Sequence, residues 1–333
     1  MFMKTLNRIF LNLFAVAVFF TATAQVPKLS SHTSAPATIF LDFDGQTVTG
    51  SAWNWSGPIY AEAATLNTPA ITEIFNRVAE DFRPFNINVT TDSAYFWSVP
   101  ANKRTRIIVT PTSAWYGLAG GVAYVGSFAW GDNTPAWVFS TLLNNNIKYV
   151  AEAISHEVGN TLGLQHQSAY DASCNKTYEY YGGTGSGEIG WAPIMGVGYY
   201  QNLTSWHNGT NSISCGTYQS DFDIIASAGN GFGLRTDDHA NTTATPTTIN
   251  LSGGLFTASG LVNNATDVDV FKLTVGTTSN LTLNVIPQNV GSSNAGANVD
   301  IKIVLMKDAD SVGFYNPSTL LNAGDTNITA GTY

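Results

Sequence analysis

Four side chains able to bind or assist a metal ion lie close together between residues 147 and 166. His156 and Glu157 are adjacent, Asn160 follows one helical turn after His156, and His166 comes next. Residues one turn apart on a helix point into the same space. Imidazoles are strong zinc ligands, and a neighbouring carboxylate can take a proton from water at such a site. The spacing therefore predicts a metal site with Glu157 as general base.

The same stretch has the pattern of a helix packed on a core. Apolar residues recur along it at three- and four-residue steps, namely Ile147, Val150, Ala151, Ile154, Val158 and Leu162. This period is typical of an amphipathic helix. Gly163 tolerates positive φ and is predicted to end the helix. The turn after it is expected to carry His166 back toward His156.

The pattern resembles the metzincin form of the zinc-protease motif, His-Glu-x-x-His-x-x-Gly-x-x-His. The chain matches it at His156, Glu157, Gly163 and His166. Asn160 stands where the family has its second histidine. The resemblance implies a secreted zinc endopeptidase of matrixin or reprolysin kind, with His156, Asn160 and His166 at the metal.

A second likeness to metzincins lies further along the chain. Residues 193–196 read Pro-Ile-Met-Gly, and metzincins place a methionine in a tight turn beneath the zinc. Met195 is assigned to that turn by resemblance, and methionine packs well at such a base. Tyr199 and Tyr200 follow at a looser spacing than the family's Met-x-Tyr form. We expect them to pack rather than to touch zinc.

Asn160 leaves three alternatives open. Its amide oxygen is a neutral and weaker ligand than an imidazole. It can ligate zinc and give a slow enzyme, hold a water that ligates in its place, or leave the site mostly without zinc. A single-base change or sequence error from histidine would also explain it. The alternative function is a catalytically impaired homologue that binds peptides or proteins, or attaches to a surface.

Residues 120–126 alternate in size and have glycines at both ends. In metzincins a strand at this point forms the sheet edge over the cleft, where an extended peptide can pair. The resemblance assigns substrate binding to Gly121, Val122, Ala123 and Tyr124. A plain edge strand without this role is the alternative.

The resemblance covers residues 38–230 and predicts an α+β domain with a twisted mixed sheet, an active-site helix and a Met-turn. Apolar and alternating runs predict strands at residues 38–43, 86–90, 105–110 and 136–139. Amphipathic patterns predict helices at residues 71–82 and 219–226.

Residues 241–333 follow a linker at 231–240 and read as short strands between Asn, Thr and Gly turns. The predicted strand regions are 251–254, 267–275, 281–285 and 300–305. Residues 237–239 and 267–271 resemble the prepeptidase C-terminal domain, an all-β sandwich attached to secreted bacterial peptidases. The sequence stops where that module would begin another strand, which predicts truncation.

Four acidic residues of this region are candidates for a calcium site: Asp237, Asp238, Asp267 and Asp269. The alternative is that they serve turns and strand edges. His207 is expected in a surface loop, and His239 is a further spare histidine. The aromatic content also suggests a third class of function, a carbohydrate-binding or adhesive sandwich protein.

The ends and composition predict a secreted protein. Residues 1–24 combine Lys4 and Arg8 with an apolar run and a small-residue end, as in a signal peptide, and 25–37 is an extended lead-in. The net charge of −9 argues against nucleic acid and anionic membranes as partners. No other run is long enough to span a membrane. We expect a monomer that acts on proteins or peptides.

The two cysteines, Cys174 and Cys215, both follow the histidine motif. In an oxidising compartment the default prediction is one disulfide. A thiol ligand to zinc is the alternative, but no Cys-x-x-Cys spacing supports it.

Overall fold

The computed structural model describes residues 26–290 and 296–333. The signal-peptide prediction for residues 1–24 lies outside the described residues. None of the helices in the described part of the chain is both long and apolar enough to cross a membrane.

The described chain mixes four helices with many short strands, which agrees with the predicted α+β class. The helices are α1 (Thr68–Asp81), α2 (Ser93–Ser98), α3 (Ile147–Thr161) and α4 (Asp221–Ile225). The strands up to residue 220 are β1 (Ala37–Asp42), β2 (Gln46–Val48), β3 (Ile59–Ala61), β4 (Ile87–Thr90), β5 (Arg104–Thr110), β6 (Gly121–Val122), β7 (Ala136–Phe139), β8 (Ala169–Tyr170), β9 (Lys176–Tyr178), β10 (Trp191–Pro193), β11 (Leu203–Ser205), β12 (Asn208–Thr210) and β13 (Tyr218–Ser220). The later strands are β14 (Thr247–Ile249), β15 (Phe271–Val275), β16 (Ser279–Val285), β17 (Ile303–Lys307), β18 (Asp310–Tyr315), β19 (Asn322–Ile328) and β20 (Gly331–Thr332).

A five-stranded sheet organises the first part of the chain. Its order is β4-β1-β5-β7-β6, with four parallel strands and β6 antiparallel to β7 at one edge. Side chains alternate between its faces because the strand period is two. Ile107 and Val109 of β5 face the core that also holds α1 and α3, whereas Ile108 belongs to an aromatic cluster on the other face.

Local signals fix the ends of the two long helices. The side chains of Asn67 and Asn146 accept hydrogen bonds from Ala70 N and Tyr149 N, which caps α1 and α3. Residues 26–36 form no helix or strand, but Ser30 joins the outer strand β4 through an isolated bridge to Thr90.

Two predicted elements are shorter than expected. The helix predicted at 219–226 is only α4, because residues 218–220 pair with β12 and Ser220 then caps the helix by accepting from Asp223 N at 3.4 Å. The edge strand predicted at 120–126 is only β6, because the chain turns after it and Gly126 N donates to Asn160 O at 2.9 Å. Helix α2 and the β2–β3 hairpin were not predicted.

The last part of the chain is built from small β-sheets. β14 and β20 flank β15, β16 pairs with β19, and β17 with β18. Leu273, Val275, Leu281 and Ile328 form a buried cluster among these strands. The strands predicted from 267 and 300 begin only at β15 and β17, and 251–254 contains an isolated bridge instead of a strand. The complete sandwich stays a prediction.

Candidate functional site

Helix α3 holds three of the predicted site residues. The middle of its apolar stripe is buried in the core, with Val150, Ile154 and Val158 at 0% exposure, whereas Ile147 at its start is half-buried. The helix ends at Thr161 with Leu162 as its C-cap, and Gly163 takes a φ of +106° as the sequence predicts. The chain then reverses, and Leu164 N donates to Gly159 O at 3.0 Å. This reversal places the next segment beside the helix.

The two predicted histidines come together at this point. The ring centroids of His156 and His166 are 5.2 Å apart. Nδ1 of His156 donates to the carbonyl oxygen of Ile194, and Nδ1 of His166 donates to Oε1 of Glu179, each at 2.9 Å. A histidine whose Nδ1 carries the proton presents its Nε2 lone pair to a metal. Both rings are therefore prepared as Nε2 ligands.

Burial keeps His156 neutral. Removal of the ring from water, and secondarily the neighbouring His166, lower the pKa of His156 to about 4. A neutral imidazole is the form that ligates metals.

Glu157 lies in a dry environment beneath the edge strand. Burial raises its pKa to about 8, although a hydrogen bond from Asn160 partly opposes that rise. Strand β6 crosses directly over this carboxylate: a Cβ on Gly121 would lie 2.7 Å from Oε1 of Glu157 and 2.8 Å from the carbonyl oxygen of Trp137. A glycine at position 121 is thus a steric requirement of the buried glutamate.

Asn160 is buried, and its two amide atoms differ in their surroundings. Nδ2 donates to Oε2 of Glu157 at 3.4 Å, whereas Oδ1 is buried with no hydrogen-bond partner among the described residues. An acceptor in this position is available to contact an ion or a water molecule. Two imidazoles and one amide oxygen, with a further position for water, fit the donor set of a divalent metal.

Met195 lies in a turn and packs against helix α3 at Gly159. Its side chain is completely buried, and a Cβ on Gly159 would lie 2.5 Å from its sulfur. The carbonyl of Met195 accepts from Gln167 N at 2.7 Å, which ties the turn to the segment that carries His166. The preceding carbonyl, that of Ile194, is the acceptor for His156.

Three residues of the site were not predicted. Glu179 orients His166, and the ring of Tyr180 lies 4.6 Å from His166 and 5.8 Å from His156. Burial, and then the Glu157 carboxylate, raise the pKa of Tyr116 and Tyr180. Residues 170–189, which contain Glu179 and Tyr180, are rich in glycine and tyrosine, and this composition does not reveal a fold-back onto α3.

The two tyrosines after Met195 behave differently from each other. Tyr199 packs against Tyr149 with ring centroids 4.7 Å apart, as expected, whereas Tyr200 is 80% exposed. Burial, and next the Glu157 carboxylate, raise the pKa of Tyr199 well above its usual range. Tyr199 is consequently a neutral hydroxyl near the site.

Cys174 and Cys215 form a disulfide, which confirms the predicted pairing. Neither cysteine is free, so a thiol ligand to a metal is excluded. The bond links the loop between β8 and β9 to the residues before β13. The segment that it encloses contains Glu179 and Met195.

The other candidate residues lie apart from this cluster. His207, expected in a surface loop, is half-buried with its ring 4.8 Å from that of Trp191. Nδ1 of His239 contacts Thr247 Oγ1 at 2.8 Å, and its Nε2 donates to the carbonyl oxygen of Ser259 at 2.7 Å.

Three of the four predicted acidic residues do come together. Oxygen atoms of Asp237, Asp267 and Asp269 lie within 4.8 Å of one another and could hold a metal ion, whereas Asp238 is not in the group. Asp238 instead accepts from Leu261 N at 3.1 Å. Acidic groups of this kind are common without an ion, and calcium binding stays a prediction.

No model of a known protein family matches the chain, and a comparison with curated proteins likewise finds no match. The functional inference therefore depends on the geometry of the site and on the sequence pattern.

Proposed function

We propose that this protein is a secreted, bacterial, zinc-dependent endopeptidase of metzincin type. One observation carries the proposal: two histidines with Nδ1 already engaged lie 5.2 Å apart, close to a buried glutamate and an unpartnered amide oxygen. Histidines that serve only helix packing have no need of such paired Nδ1 hydrogen bonds or of a buried carboxylate beside them. The residues that would hold zinc are His156, His166 and Asn160.

The surroundings of the site support the same class. An antiparallel edge strand, β6, runs over the helix that carries the histidine and the glutamate. The outer edge of such a strand can pair with the backbone of an extended peptide. Gly121 and Val122 lie in β6, whereas Ala123 and Tyr124 follow its end. A buried methionine lies beneath the helix on its other side.

The mechanism follows from the position of Glu157. Zinc, when bound, would polarise the scissile carbonyl and make a water molecule more acidic. A nearby cation also favours the charged form of a carboxylate, which would lower the raised pKa of Glu157. Glu157 would then accept the proton of the attacking water and pass it to the leaving amine. Asn160 would hold the glutamate in place through its Nδ2.

A second candidate function is a peptide-binding homologue without hydrolysis. Asn160 favours it, because an amide oxygen binds zinc less tightly than an imidazole. Strand β6 would engage extended peptides in either case. The two functions differ only in whether zinc is held strongly enough for chemistry.

The test compares the chain as written with Asn160→His and Glu157→Gln. Zinc content after dialysis and chelator-sensitive cleavage of an unfolded protein would be measured for each. The proposal expects zinc in all three and cleavage in the first two, with Glu157→Gln inactive. Cleavage by Asn160→His alone would favour the binding protein. Absence of cleavage by a folded, zinc-loaded Asn160→His would refute the peptidase mechanism.

A further inference from the structure

Five aromatic residues form a surface next to the edge strand β6, which we call the aromatic rim: Trp55, Trp115, Tyr116, Tyr124 and Trp130. Four of these rings pack around the buried Trp53, at centroid distances of 4.0 Å for Tyr124, 5.7 Å for Trp55 and Trp115, and 6.0 Å for Tyr116. Trp130 extends the surface from Tyr124 at 5.4 Å. The indole Nε1 of Trp53 donates to Pro135 O at 2.6 Å, which anchors the rim to the sheet.

The outer rings of this surface are open to solvent. Trp55 is 60% exposed, Trp130 47% and Tyr116 43%. Exposed aromatic rings that belong to one packed cluster leave apolar surface in water, and such patches often mark a binding surface. The exposed rings pack against inner rings that are themselves held in place. Because this packing already restricts the exposed rings, little side-chain entropy is lost when a partner covers them.

The rim continues the edge strand that lies over Glu157. Val122 of β6 packs against the same aromatic cluster as Trp53. Tyr116 stacks on Phe139 at 6.1 Å, and Phe139 N donates to Gly120 O at 2.8 Å, directly before β6. A chain segment paired with β6 would therefore have the rim beside it.

The rim is also uncharged. Residues 45–61 and 107–131, which contain all its members, include no Asp, Glu, Lys or Arg, although the protein as a whole carries a net charge of −9. A neutral aromatic surface favours apolar side chains over charged ones, since charged groups lose hydration there without gaining a partner.

We propose that the aromatic rim determines the substrate preference of the site by binding aromatic and large aliphatic side chains of an extended peptide. This inference rests on the proposed function, because it takes the peptide backbone to lie along β6. Side chains on one face of an extended peptide are two residues apart. The preferred peptides therefore carry apolar residues at alternate positions.

The observations favour a peptide over a carbohydrate, although sugars also stack on aromatic rings. The rim is continuous with a strand edge that pairs with peptide backbone. Residues 45–61 and 107–131, which carry the rim, contain none of the charged side chains that commonly bind sugar hydroxyls. Competition by a neutral oligosaccharide is nevertheless part of the test.

The test measures binding without chemistry in the Glu157→Gln form of the mature chain. Fluorescence anisotropy would compare two labelled peptides of equal length, one with Phe and one with Ser at three alternate positions. We expect the Phe peptide to bind about tenfold more tightly, as aromatic contacts of this kind provide. Combining Trp55→Ser with Trp130→Ser is expected to abolish the preference. Tyr218→Ser, at a tyrosine 71% exposed elsewhere, is the matched control and should retain it.

Three results would overturn the inference. They are equal affinity for both peptides, a preference that survives loss of both tryptophans in a folded variant, and displacement by an oligosaccharide with no peptide binding. Failure of the peptidase proposal is distinguishable from these. If the chain prefers the Phe peptide but cleaves nothing, the rim proposal stands and the peptidase proposal is refuted. If it cleaves without that preference, the peptidase proposal stands and the rim proposal is refuted.

Discussion

The contact between α3 and Met195 predicts that replacing Gly159 by alanine destabilises the protein, although helix propensity alone favours alanine. Gly159 lies inside α3, where alanine is favoured over glycine by about 1 kcal/mol. A Cβ at this position would, however, lie 2.5 Å from Met195 Sδ and 3.2 Å from both Leu164 Cδ1 and Trp206 Cζ3. Carbon atoms normally approach non-bonded neighbours to about 3.5–4.0 Å. The methionine must therefore move by about an ångström.

The neighbours leave little room for that movement. Met195 and Leu164 are 0% exposed and Trp206 is 6% exposed. Overpacking of a close-packed core costs about 1–3 kcal/mol. After the gain in helix propensity, Gly159→Ala is expected to lower the free energy of unfolding by up to about 2 kcal/mol.

A double-mutant cycle read by denaturant unfolding tests this explanation. Met195→Ala alone should cost about 2–5 kcal/mol, because it leaves a cavity. In that background Gly159→Ala should lose most of its cost and can become stabilising by up to about 1 kcal/mol, since the closest contact, with the Met195 sulfur, is gone. Gly276→Ala, where a Cβ meets nothing within 4 Å, is the control and should change little. Stabilisation by Gly159→Ala in the native background would refute the packing of Met195 beneath the helix.

Three further predictions concern the site and its loop. Glu179→Gln should weaken zinc binding about 10–100-fold, because the carboxylate orients His166. Isothermal titration with zinc would measure the affinity, and an unchanged value would show that Glu179 does not orient the ligand. Replacing Cys174 and Cys215 together by serine should lower the free energy of unfolding by about 4 kcal/mol, by the loop-entropy relation. Thermal unfolding would measure the change, and a loss far below 1 kcal/mol would contradict the prediction. A carboxyl whose pKa is raised on folding binds more protons in the folded state, so the metal-free chain should lose stability as pH rises toward the pKa of about 8 of Glu157. Glu157→Gln should lack that loss of stability between pH 6.5 and 8. If the stability of the two proteins changes with pH in parallel, burial does not raise the pKa of Glu157.

Local sequence signals predicted the elements that carry the site. The three- and four-residue apolar period predicted α3, and Gly163 marked its end. Apolar runs predicted β1, β5 and β7, and the apolar residues of these runs are buried in the sheet. These signals act between residues close in the chain and can be read without knowing the fold.

Some local signals misled because pairing overrode them. The amphipathic pattern at 219–226 indicated a helix, but its first residues pair with β12 instead. The alternating sizes at 120–126 indicated a long strand, but the chain turns after Val122. Pairing partners decide between such alternatives, and they are not visible in a short segment.

The sequence by itself determined which residues could do chemistry and that His156, Glu157 and Asn160 share a helix. Only the tertiary structure decided that His166 Nδ1 meets Glu179 and that Gly121 lies over Glu157. It also decided that the amide oxygen of Asn160 is buried without a partner among the described residues. Helical period and capping are set by neighbours along the chain. Contacts between distant segments depend on how the helix, the sheet edge and the long loop pack together.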